Sequence, residues 1–166
     1  MIASALRARQ TFADLASLDE SVFPLDRAAL AIALGEYPDL DFEHYLRHLD
    51  TLAARTEVLF GEDRSAINVL ESLNEVLFIQ EGLHGNNQDY YDPQNSFLNR
   101  VLDSKNGIPI SLSVIYMEVA RRIDFPIEGV GLPGHFIVKH TDKERDILLD
   151  PFNQGRILTM ENCQEL

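Results

Sequence analysis

From Leu25 to about Ile79 the apolar residues recur every three to four positions, and beyond Pro126 they recur in short runs with a period near two. The first pattern predicts helices. "PLDRAALAIALGEYP" reads as one that ends at Gly35 before Pro38, and "DFEHYLRHLDTLAARTEVLFG" as another, opened by an Asp41 cap and closed at Gly61. "SAINVLESLNEVLFIQ" extends the helical part to Gln80. Residues 81–95, rich in Gly, Asn, Asp and Pro and carrying Tyr90 and Tyr91, form a joining loop. Two further helices follow, a short one ending near Gly107 and one running from Pro109 to about Ile123. "IEGVGL", "HFIVKH", "DILLD" and "RILT" then read as strands separated by turn compositions. The fold class is α+β, with a helical region over 1–85 and a mixed part over 86–166, packed as one compact unit.

The helix after Pro109 carries two serines. Leu112, Ile115, Tyr116, Val119 and Ile123 form an apolar stripe, and Ser111 and Ser113 flank it on either side. Ser111 lies in the first turn, where free backbone N–H groups and the positive dipole end gather. A hydroxyl there serves either as a cap or as a nucleophile, and capping is the commoner use.

The strands supply possible partners for it. Pairing "HFIVKH" with "DILLD" around the four-residue loop 141–144 sets His140 opposite Arg145, Lys139 opposite Asp146 and, extended, His135 opposite Asp150. Cross-strand neighbours have Cβ atoms about 5 Å apart, within reach of a carboxylate–imidazole hydrogen bond. Phe136, Val138, Ile147 and Leu149 then share one apolar, buried face, and His135, Ile137, Lys139, Asp146, Leu148 and Asp150 share the other.

Composition narrows the function. With 27 acidic against 14 basic residues the formal charge is -13, a field that repels phosphate backbones and anionic lipid, so neither nucleic acid nor a membrane is expected as partner. Cys163 is the single cysteine, which excludes an intrachain disulfide and a Cys-rich zinc site and points to a reducing, cytoplasmic location. "MIASALRARQTFADLAS" lacks the apolar core of a signal peptide, and no run reaches the roughly 20 apolar residues of a membrane span. His44 and His48 share a helix face but lack a third ligand, so no metal and no cofactor are expected. Asn95 and Ser96 read as helix-capping residues without chemistry.

Three stretches carry a family resemblance: "DPQNSFLNRVLDSKNGIPISLSVIYMEVARR", "GVGLPGHFIVKH" and "LLDPFNQGRIL". Together with "EYPDLDFEHYLRHLDTLA" they resemble the bacterial transglutaminase-like proteins of the SirB family, homologues of an invasion regulator, within the transglutaminase and papain-like superfamily. The resemblance implies a transglutaminase-like core over 86–166, in which a helix N-terminus faces a His and an Asp on antiparallel strands. Position by position it sets Ser111 where the family has a nucleophilic cysteine, His135 at the histidine and Asp150 at the aspartate. It also implies a helical, tetratricopeptide-like region beyond the last residue of this chain. Two functions follow. One is a non-catalytic interaction or regulatory module that takes a protein or peptide in the cleft near Ser111. The other is a serine-dependent hydrolase or acyltransferase using Ser111, His135 and Asp150 on an amide or ester.

Overall fold

The serine-bearing helix is enclosed almost all the way round. In a computed structural model that describes residues 2–19, 23–142 and 145–165, it forms α6, Pro109–Arg122. Besides Leu112, Ile115, Tyr116 and Val119, it buries Pro109, Ser111, Ser113, Glu118 and Ala120. The single apolar stripe expected from the wheel is too narrow, because α6 packs on helices as well as on a sheet. The helices are α2 (Leu25–Ala33), α3 (Phe42–Phe60), α4 (Ala66–Asn74) and α5 (Leu98–Ser104), with α1 (Ile2–Ala16) lying on α2. The sheet is antiparallel in the order β3 (Glu128–Leu132), β4 (His135–Thr141), β5 (Asp146–Asp150), β6 (Arg156–Leu158), and α7 (Met160–Glu165) follows it. One apolar core runs from Leu30 of α2 through α3, α4 and α6 to Val138 and Leu149 of the sheet.

Local chemistry sets the element ends. The Asp41 carboxylate accepts from the His44 N–H at 3.3 Å and caps α3, and Gly61 ends it at φ 57°. The helix expected through Gln80 changes character: after Asn74 the chain widens into a π-helix, Glu75–Gln80. Asn74 at that junction donates to the Gly155 carbonyl at 3.0 Å and accepts from the Tyr116 hydroxyl at 3.1 Å, so it joins α4 and α6 to the loop before β6. Gly155 has φ 70°, and a Cβ there would lie 2.0 Å from Asn74 Oδ1, so the contact requires glycine. The loop over 81–95 is less irregular than its composition implied. β1 (His84–Gly85) pairs in parallel with β2 (Asn106–Gly107), and Pro93–Ser96 forms a 3-10 turn.

The hairpin register differs from the predicted one. Val138 pairs with Leu149, Lys139 with Leu148, His140 with Ile147 and Thr141 with Asp146, a slip of two residues; Lys143 and Glu144 lie outside the described residues. β-Branched Thr141 extends the strand, and its hydroxyl donates to the Asp146 carboxylate at 3.0 Å, closing the hairpin one pair later than expected. A shift of two keeps every side chain on its predicted face. Val138 and Leu149 are buried as expected, but so is Ile137 on the other face, and His140 is buried against Phe125 with its Nδ1 on the Pro126 carbonyl at 2.8 Å.

Glu81 ties α3 to the end of α5. Its carboxylate receives His48 Nε2 at 2.8 Å, Arg55 at 2.9 Å and the Lys105 ammonium. Burial alone would raise this carboxyl, but the hydrogen bonds from Lys105, Arg55 and His48 outweigh it and hold it at about 2, below the ordinary 4.5. A carboxyl depressed on folding adds stability that is complete above pH 4.5 and lost as the pH falls toward 2. Glu81→Gln should therefore lower stability by about 1–3 kcal/mol at neutral pH and flatten the loss of stability across that acid range, read by urea titration at a series of pH values.

Candidate functional site

Ile108, the residue before α6, has no side-chain oxygen with which to cap the helix, and Pro109 needs no N–H partner at the first position. Ser111 supplies the cap from within the first turn. Its Oγ accepts from the Ile108 N–H at 3.0 Å and donates to the Asn95 carbonyl at 2.7 Å, with the Ile108 carbonyl a second acceptor at 3.2 Å. Gly107 makes the fit possible, since a Cβ there would lie 2.9 Å from Ser111 Oγ and 2.8 Å from Leu112 Cγ.

Asn95 is more than a turn residue. Its side-chain amide donates to the carbonyls of Asp89 at 2.7 Å and Tyr90 at 3.2 Å, and its Oδ1 accepts from Asn86 at 3.1 Å. The buried amide thus holds the 86–95 loop closed, and its main-chain carbonyl is the group that Ser111 grips. Sequence reading assigned Asn95 a cap and overlooked Asn86; the Asn-rich composition of the loop was the available signal.

His135 and Asp150 meet as predicted, though by a diagonal route. By the observed register Asp150 aligns with Ile137, two residues from His135 on the same face, yet His135 Nε2 lies 3.0 Å from Asp150 Oδ2. The Asp150 side chain is 1% exposed and that of His135 10%. Asp150 receives three other donors: its Oδ1 takes the N–H groups of Phe152 at 3.0 Å and Asn153 at 3.3 Å, and its Oδ2 takes Asn153 Nδ2 at 2.7 Å. It thereby caps the 3-10 turn Pro151–Asn153. With Nε2 turned to the carboxylate, Nδ1 is the ring's other nitrogen, and it has no hydrogen bond among the described residues. Phe152 stands edge-on to His135 at 6.0 Å and packs on Gly85, where a Cβ would lie 2.6 Å from its ring. Neither Asn153 nor Phe152 was assigned a role from sequence, although Asp followed by Asn three residues later in "DPFN" is a capping composition.

Ser111 makes its hydrogen bonds to Ile108 and Asn95. Among the described residues no hydrogen bond links Ser111 to His135, and strand alternation puts His135 on the face opposite Phe136 and Val138, the face that packs toward α6. A cavity of about 290 Å³ instead opens beside Ser111, walled by Leu25, Ile32, Leu98, Ile110 and Val114. The other histidines stand apart from the pair: His48 is bonded to Glu81, and His44 packs edge-on against Tyr45 at 4.9 Å. No helix among the described residues is long and apolar enough to cross a membrane.

Comparison with known proteins agrees with this architecture. Residues 43–166 match the family model of the transglutaminase-like superfamily. A UPF0162 protein of Xylella fastidiosa (strain Temecula1) is 41% identical over 156 residues, which cover 92% of this chain and 54% of that protein. A UPF0162 protein of Vibrio cholerae is 27% identical over 152 residues, covering 91% and 56%. F-box only protein 21 of Mus musculus is 36% identical over 106 residues, covering 59% of this chain and 17% of that protein. The chain spans about half the length of the bacterial relatives it matches. No solved structure matches it.

Proposed function

This chain belongs to the transglutaminase-like superfamily, and we propose that it serves as a non-catalytic interaction module whose partner, a protein or peptide, binds in the cleft next to Ser111. The observation that carries this reading is the engagement of the Ser111 hydroxyl. The Asn95 carbonyl at 2.7 Å is the nearer of two main-chain acceptors for its one proton, and its lone pair takes the Ile108 N–H. A nucleophilic serine needs that proton directed at a base, because a helix N-terminus supplies only on the order of 1 kcal/mol and cannot make the hydroxyl ionise by itself. The apolar walls of the neighbouring cavity suit an aliphatic or aromatic side chain of such a partner. The matched segment of the mouse F-box protein is a small fraction of a much longer chain, which supports the use of such a unit as one part of a larger polypeptide.

One observation favours a second reading. In it His135, with Nδ1 unbonded, is the base and Asp150, bonded to Nε2, the group that orients it, as a Ser-His-Asp hydrolase or acyltransferase requires. The two readings separate with a serine-directed fluorophosphonate and intact-mass detection. The binding-module reading expects no adduct at Ser111 under conditions that label a serine hydrolase completely; an adduct at Ser111 that disappears in His135→Ala overturns it in favour of the hydrolase.

A further inference from the structure

β3 is an edge strand, and its outer side is unusually bare. Its neighbour on one side is β4; among the described residues no main-chain hydrogen bond reaches its other side. Leu132 and His135 flank the two-residue turn Pro133–Gly134, with Gly134 at φ 75°, so they form the first hydrogen-bonded pair of the hairpin. Pairs in an antiparallel ladder alternate, which turns the peptide groups of Gly129 and Gly131 outward, away from β4. Both glycines are exposed, and nothing lies within 4 Å of a Cβ built on Gly131. The usual protections of an edge, a proline, a bulge or an inward-pointing charge, are missing between Glu128 and Leu132.

Alongside this edge runs a groove of about 850 Å³ between β3 and the second half of α6. Leu25, Met117, Phe125 and Ile127 make its apolar part. Of the charged groups that line it, Glu118 is buried and bonded to Arg121 at 2.6 Å, which leaves the carboxylates of Asp124 and Glu128. The two faces of the edge differ. Gly129 lies on the α6 side, where a Cβ would meet Phe136 and Met117, whereas Glu128, at the groove's rim, points to the other face with its side chain 71% exposed; there Glu128 and Asp146 share the single Lys139 ammonium, at 3.5 and 3.6 Å.

We propose that the outer edge of β3 receives an extended segment of a partner protein as an added strand, with alternating apolar and basic side chains. Its main chain pairs with the peptide groups of Gly129 and Gly131. Apolar side chains lie over Met117 and Ile127, and Lys or Arg side chains meet Glu128 on the opposite face, where two carboxylates face one ammonium, in keeping with the formal charge of -13. This surface is separate from the Ser111 cleft and does not depend on whether Ser111 reacts.

The probe is a peptide of about ten residues with alternating Lys and Val, titrated into the ¹⁵N-labelled chain. The Gly129 and Gly131 amide resonances should move together, with their hydrogen exchange slowed about ten-fold or more at saturation. A copy of the peptide N-methylated on alternate residues should lose binding, and a Glu–Val counterpart should bind about ten-fold more weakly or worse. Gly131→Pro, which removes an N–H the sheet does not use, should abolish the effect while leaving the far-UV circular dichroism unchanged. The proposal fails if the Lys–Val peptide causes no shift at millimolar concentration, if the shifts fall elsewhere, or if the N-methylated peptide binds equally. It also fails if the chain alone is a dimer with both glycine amides protected, since a second copy then occupies the edge.

Discussion

Asp150→Ala should destabilise the protein by about 3–5 kcal/mol, the largest effect expected of any single polar residue here, and lower the melting temperature by roughly 10 °C or more. The carboxylate is buried and takes four donors, two main-chain N–H groups, the Asn153 amide and the His135 ring. Its removal takes the acceptor from all four; exposed Asn153 can turn to water, but the Phe152 N–H and the His135 ring are largely enclosed, and a buried donor left unmade costs about 1–3 kcal/mol. His135→Ala should do much less, about 1 kcal/mol, because the carboxylate keeps three of its four partners. Asp150→Asn retains the shape and one acceptor oxygen, so it should fall between the two. Urea unfolding of the three variants gives the order directly, and equal losses for His135→Ala and Asp150→Ala would show that the imidazole, not the capped turn, carries the energy.

Ser111→Ala should cost about 2–3 kcal/mol. The methyl group fits where the hydroxyl was, so the loss is one of hydrogen bonding: the buried Asn95 carbonyl and the half-buried Ile108 N–H both lose their partner. The same change frees the 86–95 loop from the start of α6, and amide exchange over that loop should rise in step with the lost stability. A serine held only for chemistry behaves oppositely, since removing a catalytic group commonly leaves stability unchanged or improved.

Sequence alone made some of this visible. The 3.6-residue period marked α2, α3, α4 and α6, and Asp41 and Gly61 fixed both ends of α3 because caps act within one turn. The His135–Asp150 pair was legible because strand alternation survives a slip of two residues, even though the slip itself, set by Thr141 and Asp146, was not. The surroundings of α6 were not legible. A wheel shows which face is most apolar, but it does not show that Glu118 is buried in a cluster with Arg121 and Arg122 or that Arg122 reaches Asp26, which lies 96 residues away. Glu81 is the same case, since its three partners come from α3 and from the end of α5. Ser111 is the most instructive residue. Its position in the first helical turn left a cap or a nucleophile open, the family resemblance set it at the nucleophile position, and the Asn95 carbonyl that its hydroxyl grips belongs to a loop whose path no local pattern encodes.

The central claim is that the Ser111 hydroxyl is a structural clamp, energetically separate from the histidine pair, and a double-mutant cycle between Ser111 and His135 tests it most directly. Equilibrium unfolding of the wild type, Ser111→Ala, His135→Ala and the double variant gives the coupling between the two side chains. The clamp predicts additivity within about 0.5 kcal/mol, as for residues that share no partner. A coupling well above about 1 kcal/mol would contradict it, because that is the signature of a hydroxyl and an imidazole acting as one unit.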